Sequence, residues 1–370
     1  MTLEVLHFLA DGRVGGPQVR IARVHEAMNR NGCPVLTTVV SPPTQPEGFF
    51  ERPGMNHVRI QWHKPVREKP ISSGFKWLLS GLWQDVAASR RLIRRHGDAI
   101  PHINGAIMLP VAIAAALEGR PWIWHLNDTT VPRFLAHFVK FLVRAGHGKP
   151  VAASRSVVEY YDLPDSSDIA YPPASIPEDA PVRGGEVRRI GVMANISPGK
   201  GIEDVIEAFA IVWKKRNELK LVIGGRILEN KRWYYESLKQ QSRDLGIESA
   251  VIFDGFVENP VRWMEEIDLF MFSSHFEAAP VALIEALASG LPIVSGEIPP
   301  TREILGGCGV LTPLGDAEAM AGEVLRLIGD NAARAELSAK ARKRAGEVFS
   351  LEAISRKYCE IYSGLKKGKK

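Results

Sequence analysis

The sequence predicts an α/β fold of two domains, each built on a parallel sheet with helices on both of its faces. Short apolar runs alternate with amphipathic helical stretches, which is typical of strand–helix units in a parallel sheet. The chain has 370 residues, 45% of them hydrophobic, which is enough for two cores. Because residues 166–183 are rich in Pro and Ser, we expect a linker there, between domains at 1–175 and 186–348.

Composition limits the kind of partner. The net charge of +5 is a mild basic excess, compatible with anionic substrates or an anionic membrane surface, and no nucleic-acid motif accompanies it. No apolar run reaches the length of a membrane span, and the start, Met-Thr-Leu-Glu, carries an acid where a signal peptide is basic. We therefore expect a cytoplasmic protein, either free or peripheral on the inner face of the membrane.

Cysteines and carboxylates give no sign of a disulfide or a metal. Cys33, Cys308 and Cys359 are scattered and odd in number, which fits a reducing cytoplasm and predicts neither a disulfide framework nor a zinc site. No Asp-x-Asp follows a strand, and no His, Cys and carboxylate cluster has metal-ligand spacing. We expect no metal site and no cofactor.

The first strand, 3–9, leads into a glycine-containing loop. Gly15 and Gly16 open a helix over 19–31, and a Gly pair there lets a ligand approach backbone N–H groups closely. A plain strand-to-helix turn explains the same residues equally well. Further strands of this half are predicted at 35–40, 58–62, 99–104, 122–125 and 151–154, with a helix at 109–117.

Two helical stretches of the first half are amphipathic and basic. They span 75–96, with Phe75, Trp77, Leu78, Leu79, Leu82 and Trp83, and 133–149, with Phe134, Leu135, Phe138, Phe141, Leu142, Lys140 and Arg144. Our preferred interpretation is that the apolar faces pack on the sheet and the charges are solvated. The alternative is that such helices lie on an anionic membrane.

Two histidines are predicted at strand ends. His102 and His125 fall where ligands sit in open α/β sheets. Each is also explained by a hydrogen-bonded structural role, and His125 is the stronger functional candidate.

In the second half, a lysine follows the first strand. After the strand at 189–194 come Asn195 and Lys200, then a helix at 202–213. A Lys flanked by Gly at a helix N-terminus combines a point charge with aligned backbone donors, which suits a diphosphate. An ordinary exposed lysine is the alternative. The remaining predicted elements are strands at 219–224, 250–253, 269–272, 292–294 and 309–311, helices at 230–245, 316–328, 332–348 and 351–365, and a loop at 297–301.

The most informative stretch runs from Ser273 to Gly290. It follows a buried strand, and Pro280 suits the first turn of a helix that ends near Gly290. Glu277 lies on the loop and Glu285 faces outward eight positions later, so two carboxylates lie near one helix N-terminus, where unpaired N–H groups collect anions. The alternative is a solvated Glu277 and an exposed Glu285 without a function.

These residues resemble a family signature. Glu277-x7-Glu285 followed by Ala-Leu-Ala-Ser-Gly-Leu-Pro-Ile-Val resembles the signature of family 4 glycosyltransferases with the GT-B fold. The resemblance covers nearly the whole chain. It implies two Rossmann-like domains facing each other across a cleft, with a last helix, 349–370, that crosses back to the first domain.

The resemblance also implies roles for residues of the second half. Glu277 would be catalytic beside the donor sugar, Glu285 would bind the ribose, and backbone around Val257 would contact the nucleobase. The remaining donor-binding residues of this half would be Asn195, Lys200, Val281 and Ala282. The chain departs from the family at Asn195, where the family has a second cationic Arg, which leaves room for Arg13 or Arg226 to compensate. It departs again at Ala278 and Ala279, where the family usually has Gly and an aromatic residue or Leu.

In the first half, the resemblance implies that Gly15 and Gly16 contact the donor phosphates. It implies that His125, in His-Leu-Asn-Asp, is a catalytic residue contacting a sugar.

The implied function is a retaining, metal-independent glycosyltransferase. It would move a hexose-type sugar from a nucleotide-diphosphate donor to a saccharide or lipid-linked acceptor in surface polysaccharide or glycolipid synthesis. Two alternatives stay open, a GT-B-like nucleotide-sugar epimerase or phosphorylase, and a non-catalytic nucleotide-sugar-binding protein.

Overall fold

The computed structural model describes residues 2–13, 15–44, 46–63, 81–129, 131–177, 183 and 185–367. The chain divides into two compact units, Met1–Pro173 with Leu351–Lys370, and Ala174–Ser350. Residues at the end of the chain thus belong to the first unit, and the second unit is a continuous segment. Each unit contains one parallel sheet.

The first unit contains seven parallel strands in the order β3-β2-β1-β4-β5-β6-β7 within its described residues. The strands are β1 Leu3–Phe8, β2 Val35–Ser41, β3 Met55–Arg59, β4 Ile100–Asn104, β5 Trp122–Leu126, β6 Gly148–Ala152 and β7 Asp168–Ile169. The helices are α1 Gly16–Arg30, α2 Leu82–Arg95, α3 Leu109–Leu117, α4 Arg133–Ala145, α5 Arg155–Tyr160 and, from the end of the chain, α13 Leu351–Lys367.

The second unit contains six parallel strands in the order β10-β9-β8-β11-β12-β13 within its described residues. The strands are β8 Arg189–Met193, β9 Lys220–Gly224, β10 Val251–Gly255, β11 Leu269–Phe272, β12 Ile293–Gly296 and β13 Val310–Thr312. The helices are α6 Ile202–Trp213, α7 Arg232–Asp244, α8 Pro260–Glu265, α9 Val281–Ala288, α10 Pro299–Leu305, α11 Ala317–Gly329 and α12 Asn331–Arg344.

In each sheet the order in which the chain adds strands reverses at one point, although all strands stay parallel. This point lies between β1 and β4 in the first sheet and between β8 and β11 in the second. Ligands of open parallel sheets bind outside the carboxyl ends of the strands at such a point. The central strand β11 is buried along its whole length, and its end at Phe272 leads directly into the loop that carries Glu277.

Most predicted elements are present, with differences that have local causes. The strand expected at 58–62 is β3, Met55–Arg59, which pairs with β2 from Thr37 to Ser41. The loop expected at 297–301 contains the start of α10, because Pro299 and Pro300 occupy its first turn, where a missing N–H costs nothing. The helix expected at 133–149 ends at Ala145, since Gly148 begins β6. Phe75, Trp77, Leu78 and Leu79 lie outside the described residues.

The C-terminal helix α13 packs into the core of the first unit. Its buried side chains Ile354, Tyr358, Ile361 and Tyr362 lie in one cluster with Leu3 and Val5 of β1 and with Val24 and Met28 of α1. Lys357 pairs with Asp168 of β7 at 2.5 Å. No helix within the described ranges has both the length and the apolar composition to cross a bilayer.

A disulfide joins α13 to the turn between α1 and β2. The expectation that the cysteines would stay unpaired is therefore wrong for two of the three. Cys33 and Cys359 are bonded across a sequence separation of 326 residues, while Cys308 is free. The spacing along the chain could not show this pair, because it depends on α13 packing against α1.

Reduction of the Cys33–Cys359 bond should destabilise the first unit. Because the crosslink closes a loop of more than 300 residues, its loss should lower the free energy of unfolding by about 2–5 kcal/mol. Cys359→Ser should give the same fall in melting temperature as a reductant, whereas Cys308→Ser, the matched control, should change little. Thiol titration of the denatured, non-reduced protein should find one thiol; three would contradict the bond.

Candidate functional site

A cavity of about 330 Å³ lies at the point where the second sheet reverses its strand order. We call it the β8–β11 cavity after the two strands at that point. Its walls come from the ends of β8 and β11, from the residues that follow β8, β9, β10 and β11, and from the start of α9. Its volume is within the range of about 300–1,000 Å³ that is usual for small-molecule sites. The lining residues are Met193, Ala194, Asn195, Lys200, Gly225, Arg226, Phe256, Val257, Phe272, Glu277, Ala279, Pro280, Val281, Ala282 and Glu285.

Two predicted residues in the lining of this cavity form an ion pair. The Nζ atom of Lys200 lies 2.7 Å from Oε1 of Glu277, and both side chains are largely shielded from solvent, with exposed fractions of 29% and 16%. An ion pair in such surroundings is screened less than one on an open surface. The pair places a cation and a carboxylate next to each other where a ligand can contact both.

The loop that carries Lys200 is fixed by glycine. Gly201 has φ of +62°, and a Cβ atom on it would lie 1.9 Å from the carbonyl oxygen of Ser273. Only glycine permits this backbone conformation together with this close approach. The loop after β8 therefore lies directly against the loop after β11.

A polar network holds the second loop in place. Asp204, in the first turn of α6, accepts hydrogen bonds from Ser273 Oγ at 2.9 Å and from His275 Nε2 at 2.7 Å. The backbone N–H of His275 donates to the carbonyl oxygen of Gly199 at 2.9 Å. Asp204 and His275 could not be predicted from the sequence, because neither belongs to a motif and their contact depends on the pairing of β8 with β11.

The start of α9 adds backbone donors. Pro280 precedes the helix, and Val281 and Ala282 form its first turn at the wall of the β8–β11 cavity. The first N–H groups of a helix have no partner within it and carry partial positive charge. Glu285 lies one turn further along the same wall, as predicted from its spacing to Glu277.

A second cation lies at the cavity wall. Arg226 follows β9 and stacks over the ring of Phe256 at 4.6 Å, and Phe256 is 59% exposed. Next to Arg226, Gly225 has φ of +156°, and a Cβ there would lie 1.7 Å from the carbonyl oxygen of Ala194. The structure thus places Arg226 among the residues that line this cavity. Arg13, in the first unit, pairs with Asp11.

The predicted residues of the first unit have different surroundings. Gly15 caps α1, and its N–H donates to Oε1 of Gln18 at 3.3 Å. Gly16, the first residue of α1, has open space around the position that a Cβ would occupy. Neither observation bears on phosphate binding, so their role stays a prediction.

His125 is fully buried in the first unit. Its Nε2 accepts a hydrogen bond from Arg20, which can only donate, so the neutral ring carries its proton on Nδ1 and donates to the hydroxyl oxygen of Tyr358 at 3.2 Å. Both ring nitrogens therefore have protein partners. The catalytic role predicted for His125 receives no support from these surroundings.

His125 is part of a buried cluster of three histidines. The ring centroids of His7 and His102 lie 4.4 Å apart and those of His102 and His125 5.7 Å apart. The charge of the buried Arg20 acts on all three histidines. Burial, and then the charge of Arg20, lowers the pKa of His7 to about 3. Burial is also the main cause that lowers the pKa of His102 and of His125 well below the usual value.

Comparison with known proteins identifies the second unit. The family model "Glycosyl transferases group 1" matches residues 179–344. The C-terminal unit is a group 1 glycosyltransferase domain. The β8–β11 cavity lies wholly within the matched residues.

Two relatives of this glycosyltransferase domain have names that point to different products. N-acetyl-alpha-D-glucosaminyl L-malate synthase of Bacillus anthracis is 26% identical over 172 residues, 46% of this chain and 44% of that protein. The lipopolysaccharide core biosynthesis mannosyltransferase LpsB of Rhizobium meliloti is 22% identical over 61% of this chain and 68% of its own length. The match thus spans less than half of the first relative.

A solved structure extends the similarity to the whole chain. Alr3699/HepE of Anabaena, crystallised with UDP and glucose, has a TM-score of 0.76 at 20% identity and matches 98% of this chain and 99% of its own. At this identity the match shows the fold. The GT-B class predicted from the sequence, with two parallel Rossmann-like sheets, is confirmed.

Proposed function

We propose that this protein is a retaining glycosyltransferase that takes a hexose-type sugar from a nucleoside diphosphate donor bound in the β8–β11 cavity. The proposal rests on one observation: Lys200, Glu277 and Glu285 line one cavity, at the point where the strand order of the second sheet reverses. Transfer requires a diphosphate leaving group to be stabilised while positive charge grows on the sugar, and this cavity holds a group for each task.

In this proposal Lys200 and the N–H groups of Val281 and Ala282 bind the diphosphate. As the bond between the anomeric carbon and the leaving oxygen breaks, the ammonium and the helix N-terminus stabilise the negative charge. Glu277, already 2.7 Å from Lys200, faces the sugar and stabilises the positive charge. Glu285 accepts hydrogen bonds from the ribose hydroxyls.

We further propose that Arg226 supplies the second cation that Asn195 lacks. The charge of Lys200 is already balanced by Glu277, so a diphosphate with two negative charges needs another cation in this cavity. Arg226 lines the same cavity and is exposed, and its stacking on Phe256 fixes the plane of the guanidinium. No carboxylate in the part of the chain that the structure describes forms an ion pair with it.

Arg226→Gln should weaken the binding of nucleoside diphosphates about tenfold, the value of one charge-assisted hydrogen bond. Because the lost contact is with the diphosphate, binding of the free nucleoside should stay the same. Isothermal titration with each ligand measures both constants. Arg232→Gln, at the exposed start of α7, is the matched control. Equal losses for nucleoside and diphosphate would assign Arg226 to the base instead.

We propose a saccharide or lipid-linked acceptor in the synthesis of surface polysaccharide or glycolipid. The support is the lipopolysaccharide core biosynthesis mannosyltransferase among the relatives. The name of another relative, N-acetyl-alpha-D-glucosaminyl L-malate synthase, places a small hydroxy acid in its product, so the panel of acceptors includes small hydroxy acids. The nucleotide-sugar donor must be identified before the acceptor, because transfer to an acceptor can be measured only with a donor that the enzyme uses.

The test is a panel of UDP-, GDP-, ADP- and TDP-linked hexoses, each incubated with and without candidate acceptors. A glycosyltransferase releases the nucleoside diphosphate, slowly to water and faster with its acceptor, and the product keeps the anomeric configuration of the donor. An epimerase would return an isomer of the sugar nucleotide without an acceptor, and a phosphorylase would require inorganic phosphate. Tight binding without turnover of any donor would leave only a non-catalytic binding protein.

A further inference from the structure

The helix α4 presents aromatic side chains to solvent. Phe134, Phe138 and Phe141 are exposed to 77%, 39% and 61%, and the rings of Phe138 and Phe141 stack at 6.2 Å. Their spacing of four and three residues places them on one side of the helix. We call these three residues the aromatic face of α4. The expectation that the apolar side chains of this stretch pack on the sheet is therefore wrong for them.

The opposite side of α4 makes the packing contacts. Its buried residues are Ala136, Val139, Leu142 and Val143. At 100° per residue, these positions centre about half a turn away from the aromatic face. Within the described ranges, the packing of α4 thus does not use the aromatic face, because smaller aliphatic residues on the other side hold the helix in place.

Basic side chains flank the aromatic face. Arg133, Lys140 and Arg144 follow one another at helical spacing next to it, and α4 contains no Asp or Glu. Arg133 lies over the ring of Tyr160 at 5.1 Å, and Lys140 pairs with Asp162, an exposed residue after α5. Asp162 thus sets one negative charge against the three positive charges, so this side of α4 stays positive.

We propose that the aromatic face of α4 docks onto an anionic lipid bilayer, with the helix lying parallel to the surface. Since a phenylalanine side chain has about 150–250 Å² of surface, the exposed parts form an apolar patch of roughly 350 Å², a size that often marks an interaction site. Aromatic residues at the level of the lipid headgroups, beside Arg and Lys that attract anionic lipid, are the physical requirements of an interfacial helix. This inference does not depend on the proposed function.

Charge argues against a second copy as the occupant. In a twofold symmetric dimer the same patch of both subunits meets, so the Arg133, Lys140 and Arg144 side chains of the two copies would face each other. Like charges brought together at an interface are unfavourable. An anionic bilayer complements both the apolar and the basic part of this surface.

The test is co-sedimentation of the full chain with vesicles of phosphatidylcholine, alone or with about one-third phosphatidylglycerol. We expect binding to the anionic vesicles that weakens as salt rises from about 50 to about 200 mM, because screening shortens the attraction. Phe134→Ser with Phe141→Ser should reduce binding at least about tenfold, since the two most exposed rings can no longer be buried in the bilayer. Both side chains are mainly exposed, so the melting temperature should change little.

Trp233→Ser is the matched control, because Trp233 is 62% exposed on α7 of the other unit. It should bind anionic vesicles like the unchanged protein. Equal binding by the Phe134/Phe141 variant, or no preference for anionic over neutral vesicles, would overturn the proposal. A protein that ignores vesicles but loses a concentration-dependent dimer in this variant would assign the face to a second copy.

Discussion

Replacing Lys200 with Met should lower the turnover of the nucleotide-sugar donor by about 10²–10³-fold, the usual loss when one group that stabilises a developing anion is removed. The ammonium is the cation next to Glu277 in the β8–β11 cavity, so in its absence the leaving diphosphate keeps only Arg226 and the start of α9. Release of nucleoside diphosphate, followed at saturating donor, measures the effect.

Glu277→Gln should cause a loss of similar size by a different route. The amide has almost the same shape but no charge, so positive charge on the sugar is no longer offset, while the ammonium of Lys200 stays available to the diphosphate. Donor affinity should therefore fall less than turnover. Because the two groups form one ion pair, the double variant should lose less than the product of the two single losses.

Lys215→Met is the matched control for Lys200→Met, since Lys215 is exposed after α6 and lines no part of the cavity. Its turnover should equal that of the unchanged protein. Melting curves exclude unfolding as the cause of any loss. Full turnover in both Lys200→Met and Glu277→Gln would remove the assignment of this ion pair to the chemistry.

The second large effect is on stability in acid. His7, His102 and His125 stay neutral when folded, because burial and Arg20 keep their pKa values below the unfolded value of about 6.5. Their stabilising contribution is complete above about pH 6.5 and is lost as the pH falls towards 3, because the unfolded chain takes up protons that the folded chain does not. Three such groups should cost up to about 4 kcal/mol per pH unit in that window.

Calorimetry of the melting transitions between about pH 7.5 and pH 5 measures this loss. His102→Asn removes one titrating group, so the dependence of stability on pH should become shallower by up to about 1.4 kcal/mol per pH unit, whatever the variant does to stability at neutral pH. His147→Asn is the matched control, because His147 is exposed and has φ of +55°, a conformation that Asn also adopts. An unchanged slope in His102→Asn would contradict the role of the cluster.

The sequence was informative where function depends on short motifs at strand ends. Asn195, Lys200, Val257, Glu277 and Glu285 are spread over some 90 positions, yet all line one cavity. They do so because the carboxyl ends of neighbouring parallel strands lie at the same edge of a sheet. Their individual roles stay predictions.

Features that depend on long-range packing could not be predicted. The family resemblance implied that the last helix returns to the first domain, but no local pattern shows which of its residues meet which partners. The Cys33–Cys359 bond and the contact of Tyr358 with His125 depend on that residue-level packing. Within α4 the periodicity was visible, but not the side that faces the sheet. Large aromatic residues suggested the buried side, whereas Ala136 and Val139 occupy it.

The most direct measurement of the central claim is isothermal titration of the protein with UDP, GDP, ADP and TDP. At least one of them should bind with a stoichiometry of one, and Glu285→Gln should weaken that binding about 10–100-fold through the lost charged hydrogen bonds to the ribose. Glu318→Gln, an exposed glutamate in the first turn of α11, should leave it unchanged. If no nucleoside diphosphate binds, or if the tightest one binds Glu285→Gln as well as the unchanged protein, the β8–β11 cavity is not the donor site.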